Sequence, residues 1–299
     1  MTDKDQDGLP MTRRRALPAV GALGAMSMGI TRAMAQPARA IREQATVTQI
    51  RNATLRINYG GVRFLVDPML VDQGATPGFP GSASSQLRNP LVPLPMPVAD
   101  IIDVDAVIVT HLHTDHWDDA AKAQLRKSLP LFAQNDEDAA AIRQAGFTDV
   151  RVLTDASEFN GVKLAKTGGQ HGTDATLKAI PALGKVCGVV LSHPSEKTLY
   201  VAGDTIWNHH VEQAIAKHRP DAIVLNAGMA VFIGLDPIIM GGADVRAVHQ
   251  AAPGATLIAS HMEAVNHCIL SRADLRAFAV KEGFASNLRV PADGETIVI

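Results

Sequence analysis

Within Thr110–Trp117, His111, His113, Asp115 and His116 put three imidazoles and a carboxylate into six residues, directly after a short apolar run. Imidazole nitrogen suits zinc, iron, cobalt or nickel, and a carboxylate adds a harder, charged donor, so one segment carries enough ligands for a metal pair. If Val104–Thr110 is a strand, His111 and His113 stand two apart at its end and face the same way. Asp115 and His116 fall where the chain turns towards a helix. The segment can therefore serve two neighbouring metals.

Three further sites have the right chemistry. His171 lies in Thr167-Gly168-Gly169-Gln170-His171-Gly172, Asp204 in Ala202-Gly203-Asp204-Thr205, and His261 closes Thr256-Leu257-Ile258-Ala259-Ser260. Each follows an expected strand, and strand ends are rigid places from which loops aim ligands, with glycine allowing close backbone approach. Taken singly, such a histidine is ordinary surface polarity and a Gly-Asp-Thr is an ordinary turn. Three of them downstream of a dense His/Asp cluster make a ligand set.

This arrangement resembles the metallo-β-lactamase superfamily, whose H-x-H-x-D-H motif is followed by a distant His, an Asp and a final His, and it is most similar to the lactonase-like branch of metal-dependent hydrolases. The resemblance spans about Thr46 to Ile299. It implies that His111, His113 and His171 hold a first divalent metal, that Asp115, His116 and His261 hold a second, and that Asp204 bridges them. It also implies that Asp67, in Phe64-Leu65-Val66-Asp67-Pro68, orients the His/Asp loop from behind the ligands. A metal pair about 3.5–4 Å apart lowers the pKa of water and polarises a carbonyl or phosphoryl oxygen, so hydrolysis is the natural chemistry. Asp115 could then orient a proton as well as ligate. Zn2+ is the first expectation for both metals, with Mn2+ or iron as alternatives because oxygen donors broaden acceptance. The expected substrate is a small ester, lactone or amide-like molecule. The alternatives are a phosphodiesterase, an iron-dependent sulfur dioxygenase-like oxidoreductase and a noncatalytic metal-binding protein. A flavin-linked di-iron pattern, H-x-E-x-D-H in the same superfamily, is opposed by His113 at the middle position.

Beside the ligand set stand less specific groups. If the chain after His261 turns over the metals, His267 or Asn266 could bind a substrate carbonyl or carboxylate, and Glu263 could support a ligand imidazole. His267 is the one expected at the catalytic centre. His209-His210 reads as the start of a surface helix, and Cys187 and Cys268 as two buried thiols without metal or redox spacing.

The elements that must position these residues are legible from periodicity. Val47–Ile50, Ala53–Tyr59 and Val62–Val66 read as strands with Gly60-Gly61 as a hairpin turn. Gly74–Pro97 is rich in Gly, Pro and Ser and reads as an ordered active-site rim, its Leu87, Leu91, Val92, Leu94 and Met96 covering an apolar substrate or packing the loop down. Helices are expected at 118–129, 137–145, 211–217 and 243–251, with a capped terminal helix from Ser271. Strands are expected at 131–134, 150–153, before His171, and at 188–191, 198–202, 222–225 and 256–260. This alternation describes an α/β chain, and the expectation is a single four-layer αβ/βα sandwich over residues 36–299. Neither Gly60-Gly61 nor Gly241-Gly242, which reads as a loop, has the spacing of a nucleotide-binding fingerprint.

Residues 1–35 read as a twin-arginine-type signal peptide: Thr12-Arg13-Arg14-Arg15-Ala16-Leu17, a weakly apolar run to Thr31, and Ala33-Met34-Ala35 before Gln36. The run falls short of the roughly 20 strongly apolar residues of a membrane anchor. The twin-arginine export machinery is thus an expected partner, the periplasm the expected location, and the metal could enter in the cytoplasm before export. The remaining chain carries 23 basic against 27 acidic residues and no basic run, which argues against a nucleic-acid groove. The expected ligand is a small molecule, and oligomeric state cannot be read from the sequence.

Overall fold

In the computed structural model, residues 44–299 are described, and the signal-peptide reading of residues 1–35 lies outside them. Two seven-stranded mixed sheets carry the fold. In the first, β1 (Thr46–Arg51), β2 (Thr54–Tyr59) and β3 (Val62–Val66) form an antiparallel meander. It continues in parallel through β4 (Ala106–Val109), β5 (Leu131–Ala133) and β6 (Val150–Val152). The second begins with the antiparallel strands β7 (Ser157–Phe159), β8 (Val162–Gly168), β9 (Cys187–Ser192) and β10 (Leu199–Val201). Parallel β11 (Ala222–Asn226), β12 (Thr256–Ser260) and β13 (Leu288–Arg289) complete it. The final strand, β14 (Thr296–Val298), returns to the first sheet beside β1.

Alternation along these strands builds three apolar layers. Val47, Ile57, Phe64 and Ile108 of the first sheet meet Leu164, Val189, Val201 and Val224 of the second between the sheets. Helices α1 (Val98–Ile101), α2 (Asp119–Gln124) and α3 (Asp136–Gln144) cover the outside of the first sheet, where Ile101, Ala121 and Ile142 pack on Leu65, Val107 and Leu131. On the second sheet, α5 (His209–His218), α6 (Gly242–Ala251) and α7 (Arg272–Lys281) bury Val211, Val245 and Leu275 against Ile223 and Leu257. A short α4 (Asp174–Ala179) follows His171. Helix, sheet, sheet and helix form the four-layer αβ/βα sandwich that the sequence led us to expect.

Several local expectations need correction. The helix after the His/Asp cluster stops at Gln124 rather than Leu129, because Leu125 turns to extended backbone. Gly241 is the cap of α6 and Gly242 its first residue, not parts of a loop, with Asp244 accepting the Gly241 N–H. The capped helix expected from Ser271 is α7, with the Ser271 side chain accepting from Asp274 N, but it is not terminal, since β13 and β14 follow it. In the Gly74–Pro97 segment, Leu94 and Met96 take the packing alternative against the core of the first sheet, Leu87 is exposed, and none of the three lines the cavity at the donors. No described helix is long and apolar enough to cross a membrane.

Candidate metal centre

All seven predicted ligands converge at one edge of the sandwich, on the loops that follow strands. β4 ends at Val109, so His111 and His113 lie past the strand rather than on its last pleat. Their facing follows from the loop, which brings His111 Nε2 within 3.0 Å of His113 Nδ1. His171 follows β8, Asp204 follows β10 and His261 follows β12. Three groups of donor atoms result, each with its atoms within 4.8 Å of one another: the two expected triads, His111, His113 and His171 and Asp115, His116 and His261, and a third that joins Asp67 to His111 and His116. Asp204 stands between the two triads. Its Oδ2 lies 3.1 Å from His116 Nε2, 3.5 Å from His171 Nε2, 3.8 Å from His261 Nε2 and 3.9 Å from His111 Nε2. Four imidazole nitrogens drawn from both triads around one carboxylate oxygen form a donor set that fits divalent metals preferring nitrogen and oxygen.

Behind these atoms a layer of hydrogen bonds fixes which nitrogen faces inward. Asp67 accepts from Thr110 N and Thr110 Oγ1, each at 2.7 Å, and its Oδ2 lies 2.9 Å from His116 Nδ1, leaving His116 Nε2 turned to Asp204. His171 Nδ1 donates to Ile238 O at 2.8 Å, and Asn226 Nδ2 donates to Asp204 Oδ1 at 2.6 Å, which leaves Oδ2 to the histidines. Carboxylate and carbonyl partners of this kind set the tautomer and aim of a ligating imidazole. Asp67 and His261 hold left-handed backbone at φ 46° and 57°, a conformation costly for non-glycine residues and kept where the surroundings over-determine it.

Sequence reasoning missed Asn52 and Asn226. Asn52 sits at the corner after β1, also left-handed at φ 55°. Its carbonyl accepts from Gln49 Nε2, Ser260 Oγ and the His261 N–H, and its amide donates to Asp115 O at 2.9 Å. One residue thereby ties both sheets to two of the metal-binding candidates. The available signal was a polar residue closing a buried strand: Asn226 ends the wholly buried β11 as His261 follows β12. Glu263 does not support an imidazole. It pairs with Arg272, 2.8 Å away, at the start of α7. Asn266 is occupied by protein partners, and the His209 and His210 rings lie tilted against each other at 3.8 Å at the start of α5.

Electrostatics follow from burying this many titratable groups together. Burial pushes the Asp204 carboxyl up, but the His116 and His261 imidazoles outweigh it and hold the group well below the carboxylate range. Asp115 behaves alike, burial opposed by His116 and His261. Burial pulls His116 down, yet Asp204, Asp115 and Asp67 together raise it to about 10. His171 drops to about 4 and His111 falls well below its usual value, both through burial. The centre thus presents paired buried anions that call for positive charge.

A cavity of about 310 Å³ opens onto these donors. Phe79, Leu112, Ile180, Leu183, Phe232 and Ile238 give it an apolar wall, and His267 closes one side. The His267 ring packs edge-on against Phe79 at 4.7 Å, its Nδ1 has no hydrogen-bond partner, and burial lowers its pKa to about 4, so it is neutral. Phe79, not the leucines of the rim segment, is the loop's contribution to the pocket.

Fold, ligand-type clusters and known relatives together mark a metal-dependent hydrolase. Residues 62–262 match the family model described as Beta-lactamase superfamily domain, and the chain belongs to that family. It is 49% identical over 84% of its length to the UPF0173 protein YddR of Bacillus subtilis, covering 98% of that relative. The crystal structure of isothiocyanate hydrolase from Delia radicum gut bacteria superposes with a TM-score of 0.82 at 46% identity, over 85% of this chain and 99% of the other. A second structure, described as "a possible metal-dependent hydrolase" from Veillonella parvula, gives 0.84 at 42% identity over 86% and 100%.

Proposed function

We propose that the chain is a dinuclear, zinc-first hydrolase acting at an electrophilic carbon of a small, apolar, uncharged molecule: an isothiocyanate, ester, lactone or amide. The observation that carries this reading is the apolar cavity opening directly on the converged His/Asp donors. His111, His113 and His171 would hold one metal, Asp115, His116 and His261 the other, and Asp204 would bridge them. When bound, such a pair lowers the pKa of water and polarises the bond under attack.

The chain's own residues supply the rest. Asp67, Asn226 and the Ile238 carbonyl hold the ligand atoms in aim, and Asn52 fixes Asp115 and His261 against each other. Phe79, Phe232 and Ile238 exclude bulk water from an apolar substituent. His267, neutral and lining the cavity, is the group proposed to hydrogen-bond a substrate heteroatom, while its buried Nδ1 has no partner in the protein. Asp115 lines the cavity, and its carboxylate can orient a water molecule by accepting its hydrogen bond.

An isothiocyanate heads the substrate list because the 46% identical structure is that of an isothiocyanate hydrolase and the wall suits an uncharged heterocumulene with an apolar tail. Water adding to its central carbon, followed by C–N cleavage, yields a primary amine and carbonyl sulfide. Phosphodiesters are disfavoured, since among the described residues no Lys or Arg lines this cavity. Twin-arginine export to the periplasm, with cleavage after Ala35, is supported by the sequence motif; β1 begins at Thr46, beyond the cleavage point. The test is turnover of allyl and benzyl isothiocyanate, p-nitrophenyl acetate, a γ-lactone and bis(p-nitrophenyl) phosphate by metal-loaded and chelator-treated enzyme. Metal-dependent loss of a carbon electrophile supports the reading; phosphodiester turnover alone, or no metal-dependent turnover, overturns it.

A further inference from the structure

The segment that supplies Phe79 has little apolar reason to stay where it is. Between Phe79 and Asn89 the only buried residues are Ser82 and Asn89, both polar. Both are held by Asn266. Asn266 Oδ1 accepts from Phe79 N at 3.0 Å and from Asn89 Nδ2 at 2.8 Å, while its Nδ2 donates to Ser82 Oγ at 2.8 Å and to Ala83 O at 2.7 Å. The Asn266 N–H donates to Asn89 Oδ1 at 2.8 Å, making the two asparagines reciprocal. Ser82 Oγ in turn donates to Phe79 O at 2.7 Å, so both backbone polar atoms of Phe79 lead back to one side chain.

A primary amide has two acceptor lone pairs and two donor hydrogens, and here all four are used. Aspartate could not donate to the Ala83 carbonyl, and an aliphatic residue would leave several buried groups unsatisfied. The residue after Asn266 is His267, whose ring is the surface on which Phe79 packs. One amide therefore fixes two pocket walls relative to each other, one through hydrogen bonds and the other through the peptide bond.

We infer that Asn266 is a positioning residue that holds the joined Phe79–His267 wall of the cavity in place and so determines which substrate sizes are accepted. This rests on the cavity being the substrate pocket. The Asn266 side chain bonds to none of the donor residues, so its effect is expected on selectivity ahead of metal content, and metal content is measured because Cys268, two residues on, lies 3.4 Å from His261 Nδ1.

The experiment compares the wild-type chain with Asn266→Ala and, breaking the same clamp from the other side, Asn89→Ala. Amide hydrogen exchange over residues 76–91 should speed up by about tenfold or more in both variants. Bound metal per chain should stay at the wild-type ratio. Across a series of n-alkyl isothiocyanates and n-alkyl esters, KM for short substrates should rise about tenfold, and the dependence of kcat/KM on chain length should flatten. Binding of alcohols from ethanol to octanol, measured calorimetrically on metal-loaded protein, should show the same flattening without any turnover. Faster exchange with unchanged length dependence in both series would overturn the inference while leaving the hydrolase reading intact, as would unchanged exchange. If the wild type turns over no member of the series, the hydrolase reading falls and the alcohol series alone decides the role of Asn266.

Discussion

Asp204 stands where no neutral residue of the same shape would serve. One oxygen is taken by the Asn226 amide and the other faces four imidazole nitrogens, so its remaining negative charge is shared by both triads. Asp204→Asn nearly conserves size but replaces that oxygen or its partner by a hydrogen donor. The variant should lose bound metal, read by elemental analysis, and more than about 100-fold in turnover. A folded variant with full metal and near-normal turnover would remove the bridging assignment. Asp67 acts one layer further out, on His116 and on Thr110. Asp67→Ala should therefore weaken metal affinity by about 10–100-fold in a competition titration with a chelator while sparing the fold. An unchanged affinity would mean that Asp67 only supports the loop.

The loops after strands explain which parts of this arrangement can be read without coordinates. Asp204 and His261 are visible in the sequence because each follows an apolar run, His171 because it closes a Gly-Gly-Gln turn after an expected strand, and the His/Asp cluster after β4 is conspicuous by density alone. Asn52 and Asn226 are not visible, because asparagine at a strand end is equally an ordinary turn residue and only the three-dimensional partners separate the cases. Phe79 is hidden for a different reason: an irregular loop has no periodicity to say which side chains face inward, and the polar clamp that aims it lies almost two hundred residues away. Short strands such as β13 and β14 carry too few residues for alternation to register. The fold was legible because its long buried strands are the opposite case. Close backbone approach is another feature that spacing does not reveal. Just after β11, a Cβ at Gly228 would lie 2.1 Å from His261 O and 2.7 Å from Cys268 Sγ. Gly228→Ala should displace the His261 turn, lowering stability by about 1–3 kcal/mol in denaturant unfolding together with metal affinity. A stability loss with native metal affinity would show that the turn absorbs the methyl without moving its imidazole.

Across the whole molecule, the donors are divided between the two halves of the sandwich. His111, His113, Asp115 and His116 come from the loop after β4 of the first sheet, whereas His171, Asp204 and His261 come from loops of the second. The apolar layer between the sheets joins these halves without any contribution from the donors. Folding with metal-free donors nevertheless brings buried carboxylates and crowded imidazoles together at a cost that positive charge offsets. A metal held by both halves binds the native state and not the unfolded chain, and so stabilises by RT ln(1 + [M]/Kd). At a free metal concentration about 100 times Kd this is about 2.7 kcal/mol, or roughly 5–10 °C in Tm for a domain of this size. Calorimetric scans at increasing free Zn2+ should show Tm climbing with the logarithm of metal concentration, and two equivalents per chain should be needed for the full shift. Asp204→Asn, which faces both triads, should abolish most of that dependence. His113→Ala, confined to one triad, should leave a reduced shift from the other, because Asp115, His116 and His261 with Asp204 still span both sheets. A Tm independent of metal in the wild type would mean that the donors do not hold metal across the sheets, and saturation at one equivalent would mean a single shared ion in place of a pair.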